Sequence, residues 1–343
     1  MTLSLQHDAS FDVHRKPTRR DVFLSQMDQV VPWAPLCACI APFYPKVGAS
    51  GGRPPVGLER MLRIHFLQQW YALSDPAVEE ALYDVPAMRR FVGIDLGREA
   101  APDETTVCKF RHLLEKHGLA EQLFAAINAH LREHGLRLSS GTMVDATIIA
   151  AAPSTKNKAR SRDGQMHQTR KGKQWYFGMK AHIGVDQRTG LVHHVVSTAA
   201  NVADVTQTAH LLHGQEQHVF ADAGYAGAAT YAPADGRTFW VAEKRSKVKA
   251  IAHPGMRAIT EELERAKASI RAAVEHPFGV LKRQFGYVKV RYKGLAKNAA
   301  QVTTLFALVN LWRARRTLLP VAGGVRLRTA QRRGAGQNAG DWM

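Results

Sequence analysis

Three acidic residues stand out by their placement within apolar runs: Asp145, Asp222 and Glu275. Asp145 divides Thr142-Met-Val from Ala-Thr-Ile-Ile149, a β-branched, apolar stretch that predicts a buried strand. Asp222 closes His218-Val-Phe-Ala, and the Ala-Gly-Tyr225 behind it reads as a glycine turn at a strand end. Glu275 immediately follows Val274 of the stripe Leu263, Ile270, Val274 and Phe278, whose spacings of seven, four and four predict an amphipathic helix, and so falls at the edge of its apolar face. A lone carboxylate in a buried strand is costly unless it is paired or holds a metal. Two strand acids and one helix acid suit Mg²⁺, which takes a few carboxylates and keeps several waters. Arg271, one turn before Glu275, and Lys282, about two turns after it, fall near the same helix face. Pro277 removes a backbone hydrogen bond just after Glu275 and predicts a kink or local break there.

The order of these residues carries a resemblance. An Asp on a first strand, Asp-x-Gly-Tyr after a later strand, then Arg271, Glu275 and Lys282 resembles the DDE transposases of bacterial insertion sequences. Gly178-Met-Lys-Ala-His-Ile-Gly-Val-Asp186 through Ala200-Asn-Val-Ala-Asp204 is similar to the same family, particularly its insertion-sequence-five group within the wider insertion-sequence-four type superfamily. The similarity runs over residues 40–317. Related groups carry a Tyr three residues before the Arg; this chain has Ala268.

What the resemblance implies is a Mg-dependent enzyme that binds the ends of its insertion sequence, cleaves them and joins the 3′ ends to target DNA. Asp145, Asp222 and Glu275 would be both the catalytic residues and the metal ligands. Two Mg²⁺ ions about 3.5–4 Å apart would serve the phosphoryl transfer, with Mn²⁺ able to substitute. Arg271 and Lys282 would meet phosphates, and Lys180 and His182, on one face of their strand, would meet the DNA backbone nearby. The implied partner is double-stranded DNA, as terminal inverted repeats and as target, with a homodimer in the DNA complex. Two other readings share parts of this pattern: a ribonuclease-H-like nuclease without strand transfer, and a non-catalytic DNA-binding remnant.

Charge points the same way independently. The chain has 47 Lys and Arg against 29 Asp and Glu, a net charge of +18, which favours a polyanionic partner. No run reaches the apolar length of a membrane span, and the start of the chain is charged where a signal peptide needs an apolar segment, so a cytoplasmic, nucleoid-associated location is expected. Cys37, Cys39 and Cys108 are too few and too unevenly spaced for a disulfide framework or a four-cysteine zinc site.

The elements that must position the acids follow from periodicity. Residues 1–30 show no sustained period and read as a flexible basic arm. Residues 31–138 read as all-helical: a helix from Leu58 to Tyr71, one opened by Asp75-Pro76, one near Asp103 with Lys109 and Arg111 outward, and one over 120–134. The region resembles the family's N-terminal DNA-binding domain, and the other reading is that its helices brace the catalytic domain. The pair flanking Gly118 suits a helix-turn-helix, although short helix pairs are common in any bundle. Residues 151–174 read as a mobile basic loop with Lys156, Lys158, Arg170, Lys171 and Lys173 as phosphate contacts.

Residues 139–317 read as the catalytic domain. Strands over 175–185 and 191–198, joined by Asp186-Gln-Arg-Thr-Gly190, a helix over 205–212, strands over 218–221 and 239–242 and the Glu275 helix complete the series. Three antiparallel strands, helix, strand, helix, strand, helix is the ribonuclease-H-like order. The expected class is therefore α+β, a mixed five-stranded sheet with helices preceded by a helical domain. Asn298 is expected to cap a last amphipathic helix reaching Arg316, and residues 318–343 read as a disordered Gly/Arg-rich tail. His193-His194 sits in a strand, where neighbours point to opposite faces, so the two rings are not expected to share one metal and read as a surface and a core histidine.

Overall fold

The strand that bears Asp145 is the centre of the sheet. The computed structural model describes residues 16–46, 54–158, 160–233 and 235–319. Its strands are β1 (Gly141–Ala150), β2 (His167–Lys171), β3 (Gln174–Asp186), β4 (Val192–Ala199), β5 (His218–Ala221) and β6 (Thr238–Val241). β3 runs antiparallel along β1, and β4 antiparallel along β3. On the other side β5 lies parallel to β1, and β6 parallel to β5. Across the sheet the order is β4-β3-β1-β5-β6, three antiparallel strands continued by two parallel ones. This is the ribonuclease-H-like arrangement that the sequence predicts.

β2 is an addition to the five expected strands. It lies inside the expected basic loop and pairs with the first part of β3, from His167 opposite Gly178 to Lys171 opposite Gln174. Its residues are exposed or half-exposed throughout, so no apolar alternation marks it. The ladder to β3, rather than burial, holds it.

The N-terminal region supplies seven helices among the described residues: α1 (Arg19–Val30), α2 (Trp33–Ile40), α3 (Leu58–Tyr71), α4 (Asp75–Asp84), α5 (Pro86–Val92), α6 (Glu104–Lys116) and α7 (Leu119–Glu133). α1 corrects part of the expected flexible arm. Thr18 and Asp21 form a reciprocal capping box, and Leu24, Met27 and Val30 turn into the core. Residues 1–15 lie outside the described residues. α2 and α5 were hidden by their shortness; α5 is opened by Pro86 at its first position, where a missing N–H costs nothing. Ser74 rather than Asp75 caps α4, accepting from the Ala77 N–H at 3.2 Å. Asp103 caps α6 through Thr106 N–H at 2.7 Å. Gly118, at φ +57°, turns the chain between α6 and α7 in a conformation that a side chain would strain.

After β6 come a short α8 (Arg245–Lys249) and α9 (Pro254–Arg271). The helical path continues through a 3₁₀ turn (Ala272–Val274), α10 (Glu275–Gly279) and a π turn (Val280–Gln284). The expected break at Pro277 takes this form: the α-helical hydrogen-bond pattern is interrupted on both sides of it while the backbone stays helical. Of the apolar stripe, Val274 and Phe278 are buried, but Leu263 is 43% exposed. Only the C-terminal half of the stripe packs.

α11 (Leu295–Leu318) is the element both halves share. It packs against α7, β4 and α1, and thirteen of its residues are buried. It is therefore surrounded rather than merely amphipathic. One cluster of buried side chains runs from Leu24 on α1 through Met143 and Ile183 in the sheet to Ala314 on α11. Gly294, not Asn298, precedes the first turn; Asn298 instead bonds the backbone of Arg291, Tyr292 and Gly294, fixing how the chain enters the helix. Residues 320–343, most of the expected tail, lie outside the described residues.

Candidate active site

Asp145 stands midway along β1, opposite Ile183 of β3. Burial pushes its carboxyl up to about 7. A hydrogen bond from the Ala146 N–H at 2.7 Å opposes that rise, the negative charges of Asp222 and Glu275 add to it, and Arg271 offsets part of it. The charges of four side chains, from β1, the end of β5 and the irregular helix, thus act on one another, although Asp145, Asp222 and Glu275 do not all bring ligand atoms within 4.8 Å of one another. Asp222 caps the turn after β5, accepting from the Gly224 N–H at 2.9 Å. Glu275 opens α10 and is exposed. Its flanking residues explain its place: buried Val274, Pro277 and Phe278 seat the helix while Glu275 stays at the rim.

Tyr225, three residues beyond Asp222, belongs to this neighbourhood and was not singled out from the sequence. It is 1% exposed and its hydroxyl has no hydrogen-bond partner among the described residues. Burial, then Asp145, Asp204 and Asp222, all raise its pKa strongly. The Asp-x-Gly-Tyr motif carried the signal.

The cations divide into two groups. Lys282 reaches back to β1: its Nζ donates to Thr147 Oγ1 at 2.7 Å and to Ile148 O at 3.1 Å. Burial and the charge of Lys171 lower its pKa, while Glu275 opposes them. Lys180 Nζ donates to Val202 O at 2.8 Å and lies 2.8 Å from Asp204 Oδ1, with its side chain 12% exposed. His182 has no exposed surface, and its Nε2 faces Thr198 Oγ1 at 2.8 Å. The expected backbone contact from His182 is corrected accordingly. A fully buried ring has nothing to offer a phosphate; its Nδ1 has no hydrogen-bond partner among the described residues and lies 3.7 Å from Asp204 Oδ1.

By contrast, Lys156, Lys158, Arg170, Lys171 and Lys173 are all exposed. Arg170 and Lys171 stand on β2, Lys173 in the turn to β3, and the exposed Trp175 is opposite Arg170 across the ladder. The expected mobile loop is in this part a paired hairpin.

His193 is buried and His194 half-buried, but the opposite-face placement expected of them does not hold. In the pairing of β3 with β4, Gly184 faces His194 and Val185 faces Val192, so His193 is the extra residue of a bulge. A bulge cancels the alternation that would have sent the rings to opposite faces. Their Nδ1 atoms approach to 2.8 Å.

Two family models match this chain. The Transposase DDE domain spans residues 136–311, just over half of it, and the Transposase domain (DUF772) spans residues 11–113. The chain belongs to the DDE transposases. Within them it is of the insertion-sequence type, acting on DNA, and enzymes of this family use divalent metal ions. No solved structure matches the chain. Among the described residues of this transposase, no helix is long and apolar enough to cross a membrane.

Proposed function

We propose that this transposase, of the insertion-sequence-five group, cleaves the ends of its element and joins the 3′ ends to target DNA at a site built from Asp145, Asp222 and Glu275. The observation that supports the reading is the placement of Asp145: it is half-buried on the central strand, Asp222 follows the parallel neighbour β5, and Lys282 ties the helix of Glu275 to β1, so that the charges of both acids and of Arg271 act on it. Three hard oxygen donors with net negative charge fit two divalent cations of the Mg²⁺ or Mn²⁺ kind. Once bound, the ions would stabilise the attacking and leaving oxygens of an in-line displacement at phosphorus.

The chain's own residues do the rest. Arg271 supplies positive charge beside Asp145 and favours its ionised form. Lys282 fastens the helix of Glu275 to the strand of Asp145, so that acids from distant parts of the chain keep one geometry. The exposed bases of the β2–β3 hairpin, with Lys156 and Lys158, lie on DNA phosphates. Residues 1–30 and the helical region to 138 recognise the terminal repeats, the catalytic region spans 139–317, and two copies assemble on paired ends.

The test is cleavage and strand transfer on labelled terminal DNA in Mg²⁺. Glu275→Gln, which is isosteric and sits at an exposed position, should lose both steps while still shifting end DNA in a gel. Wild-type cleavage by that variant would remove Glu275 from the site.

A further inference from the structure

A second constellation of metal-ligand side chains lies away from the acids. Strand alternation sends the Thr142 side chain to the opposite face of β1 from Asp145. There, one ligand atom each from His193, His213 and Glu216 lie within 4.8 Å of one another. His193 comes from the bulge in β4; His213 and Glu216 come from the segment between the 3₁₀ helix (Asp204–Leu211) and β5. The side chains of His213 and Glu216 are 8% and 0% exposed, and His193 is 9% exposed.

The polar atoms in this pocket are poorly matched to one another. His213 Nε2 is buried without a hydrogen-bond partner among the described residues, 3.5 Å from Glu216 Oε1. The Thr142 hydroxyl has one proton but faces both His193 Nε2 at 3.1 Å and Glu216 Oε1 at 3.4 Å. Glu216 is otherwise oriented firmly: its Oε1 accepts from the His213 N–H and its Oε2 from the Gly214 N–H at 2.8 Å. Arg237 Nη1, at 3.8 Å, is its nearest full charge.

We infer that His193, His213 and Glu216 form a binding site for one zinc ion, separate from the acids of the candidate active site. Two imidazoles and one carboxylate are a zinc donor set, whereas Mg²⁺ prefers oxygen alone. Metal–ligand distances near 2.0–2.1 Å place neighbouring ligands of a tetrahedral site about 3.3 Å apart. The separation of 3.5 Å between His213 Nε2 and Glu216 Oε1 is close to that edge. Water completes the fourth position.

The surroundings already hold the ligands. With the proton of His193 on Nδ1, that atom donates to His194 Nδ1, 2.8 Å away, and leaves the lone pair on Nε2 free for the ion. His213 Nδ1 would give up only a long contact with the Gln215 N–H, 3.3 Å, to carry its proton. Gly184 makes room for the site: a Cβ there would stand 2.8 Å from His193 Cε1. Bound zinc would pin the segment before β5 to the β4 bulge. The competing arrangement has no cation. A proton on His193 Nε2 would donate to Thr142, and Thr142 to Glu216.

The experiment uses full-length, untagged protein, stripped with a chelator, given Zn²⁺ in excess Mg²⁺ and desalted before metal analysis. About one zinc per chain should remain, and its addition should raise the unfolding temperature. His213→Ala and Glu216→Gln should each weaken zinc binding by about tenfold or more. Asp222→Asn should leave it unchanged. Glu216→Gln has one acceptor oxygen and so keeps only one of the amide protons of His213 and Gly214, whereas His213→Gln removes a ligand and leaves the backbone N–H bonds to Glu216 in place, so it keeps the test open if the other two variants do not fold. Failure to retain zinc, or equal retention by both variants, overturns the site.

Discussion

Lys282 Nζ lies 2.7 Å from Thr147 Oγ1, two residues along β1 from Asp145. This bond and its companion to Ile148 O join the helix of Glu275 to the central strand across more than 130 residues of chain. Two of the three ammonium donors are thereby engaged, which changes what the side chain can do for DNA. Lys282→Met should lower stability by about 1–2 kcal/mol, less than a fully buried charged hydrogen bond, because the group is half-buried. End cleavage should fall with it as Glu275 loses its anchor. The salt dependence of end binding should change by well under one phosphate contact. A gel-shift salt series beside urea unfolding checks this, and a slope reduced by a full ion would return Lys282 to the phosphate contacts.

Asp222→Ala separates chemistry from binding. Removing a carboxylate beside DNA also removes repulsion, so end binding should be kept or slightly tightened while cleavage and joining disappear. The measurement pairs gel shifts with cleavage of labelled ends in Mg²⁺. Cutting at the wild-type rate would take Asp222 out of the candidate site.

How much of this was legible follows from which interactions leave a trace in local sequence. β5 was readable because three apolar residues, Val219, Phe220 and Ala221, sit between polar ones, and its observed span, His218–Ala221, is the expected strand. The arrangement of the strands followed from the resemblance to the ribonuclease-H-like fold, not from the apolar runs alone. β2 was invisible because backbone pairing holds it and its side chains stay in solvent. α1 was missed because a capping box and only three inward residues define it among charges. The apolar face of Val107, Phe110 and Leu114 leaves Arg111 outward on its helix, yet tertiary partners bury it. The meeting of His193 with His194 depends on a bulge, which side-chain alternation alone cannot show.

Arg111 supplies the next test. It is 8% exposed, bonds Asp75 at 2.9 Å and Glu115 at 3.0 Å, and stacks 4.3 Å over the Tyr292 ring. It thus ties α4 and α6 to the segment that enters α11. Arg111→Met leaves Asp75 without its charge partner in a mostly desolvated place and should cost about 3 kcal/mol. Asp75→Asn on that background should recover part of the loss. Urea unfolding of both proteins decides it, and a loss below about 1 kcal/mol would mean the network is no more than a surface ion pair.

The β2–β3 hairpin predicts a different pattern. Arg170, Lys171 and Lys173 are exposed, and the hydrogen bond of Arg170 to Gly172 O at 3.1 Å stays within its own turn. Replacing all three by Ala should leave the unfolding temperature nearly unchanged. The slope of log affinity against log salt should fall by about 2–3, with equal effect on end and scrambled DNA, because phosphates carry no sequence. An unchanged slope would make the hairpin a solvated surface.

His65 gives the fold a defined response to acid. It is 6% exposed on α3, packed against Phe66 and Phe110, and its Nδ1 has no partner among the described residues. Burial first, and then the charge of Arg111, lower its pKa to about 4, against the opposing effects of Asp75 and Gln68. The folded state therefore holds the ring neutral where the unfolded chain, at 6.5, takes up a proton. Its contribution to stability is complete above 6.5 and is lost as pH falls from there to about 4. The span corresponds to at most about 3 kcal/mol. His182 and His193 are shifted in the same direction by burial and add to the slope. His65→Gln should cut the loss of stability between pH 6.5 and 4 by about one proton's worth while leaving the other histidines' share. Urea unfolding at several pH values measures it. A variant with the full wild-type slope would show that His65 titrates in the folded protein as freely as in the unfolded chain.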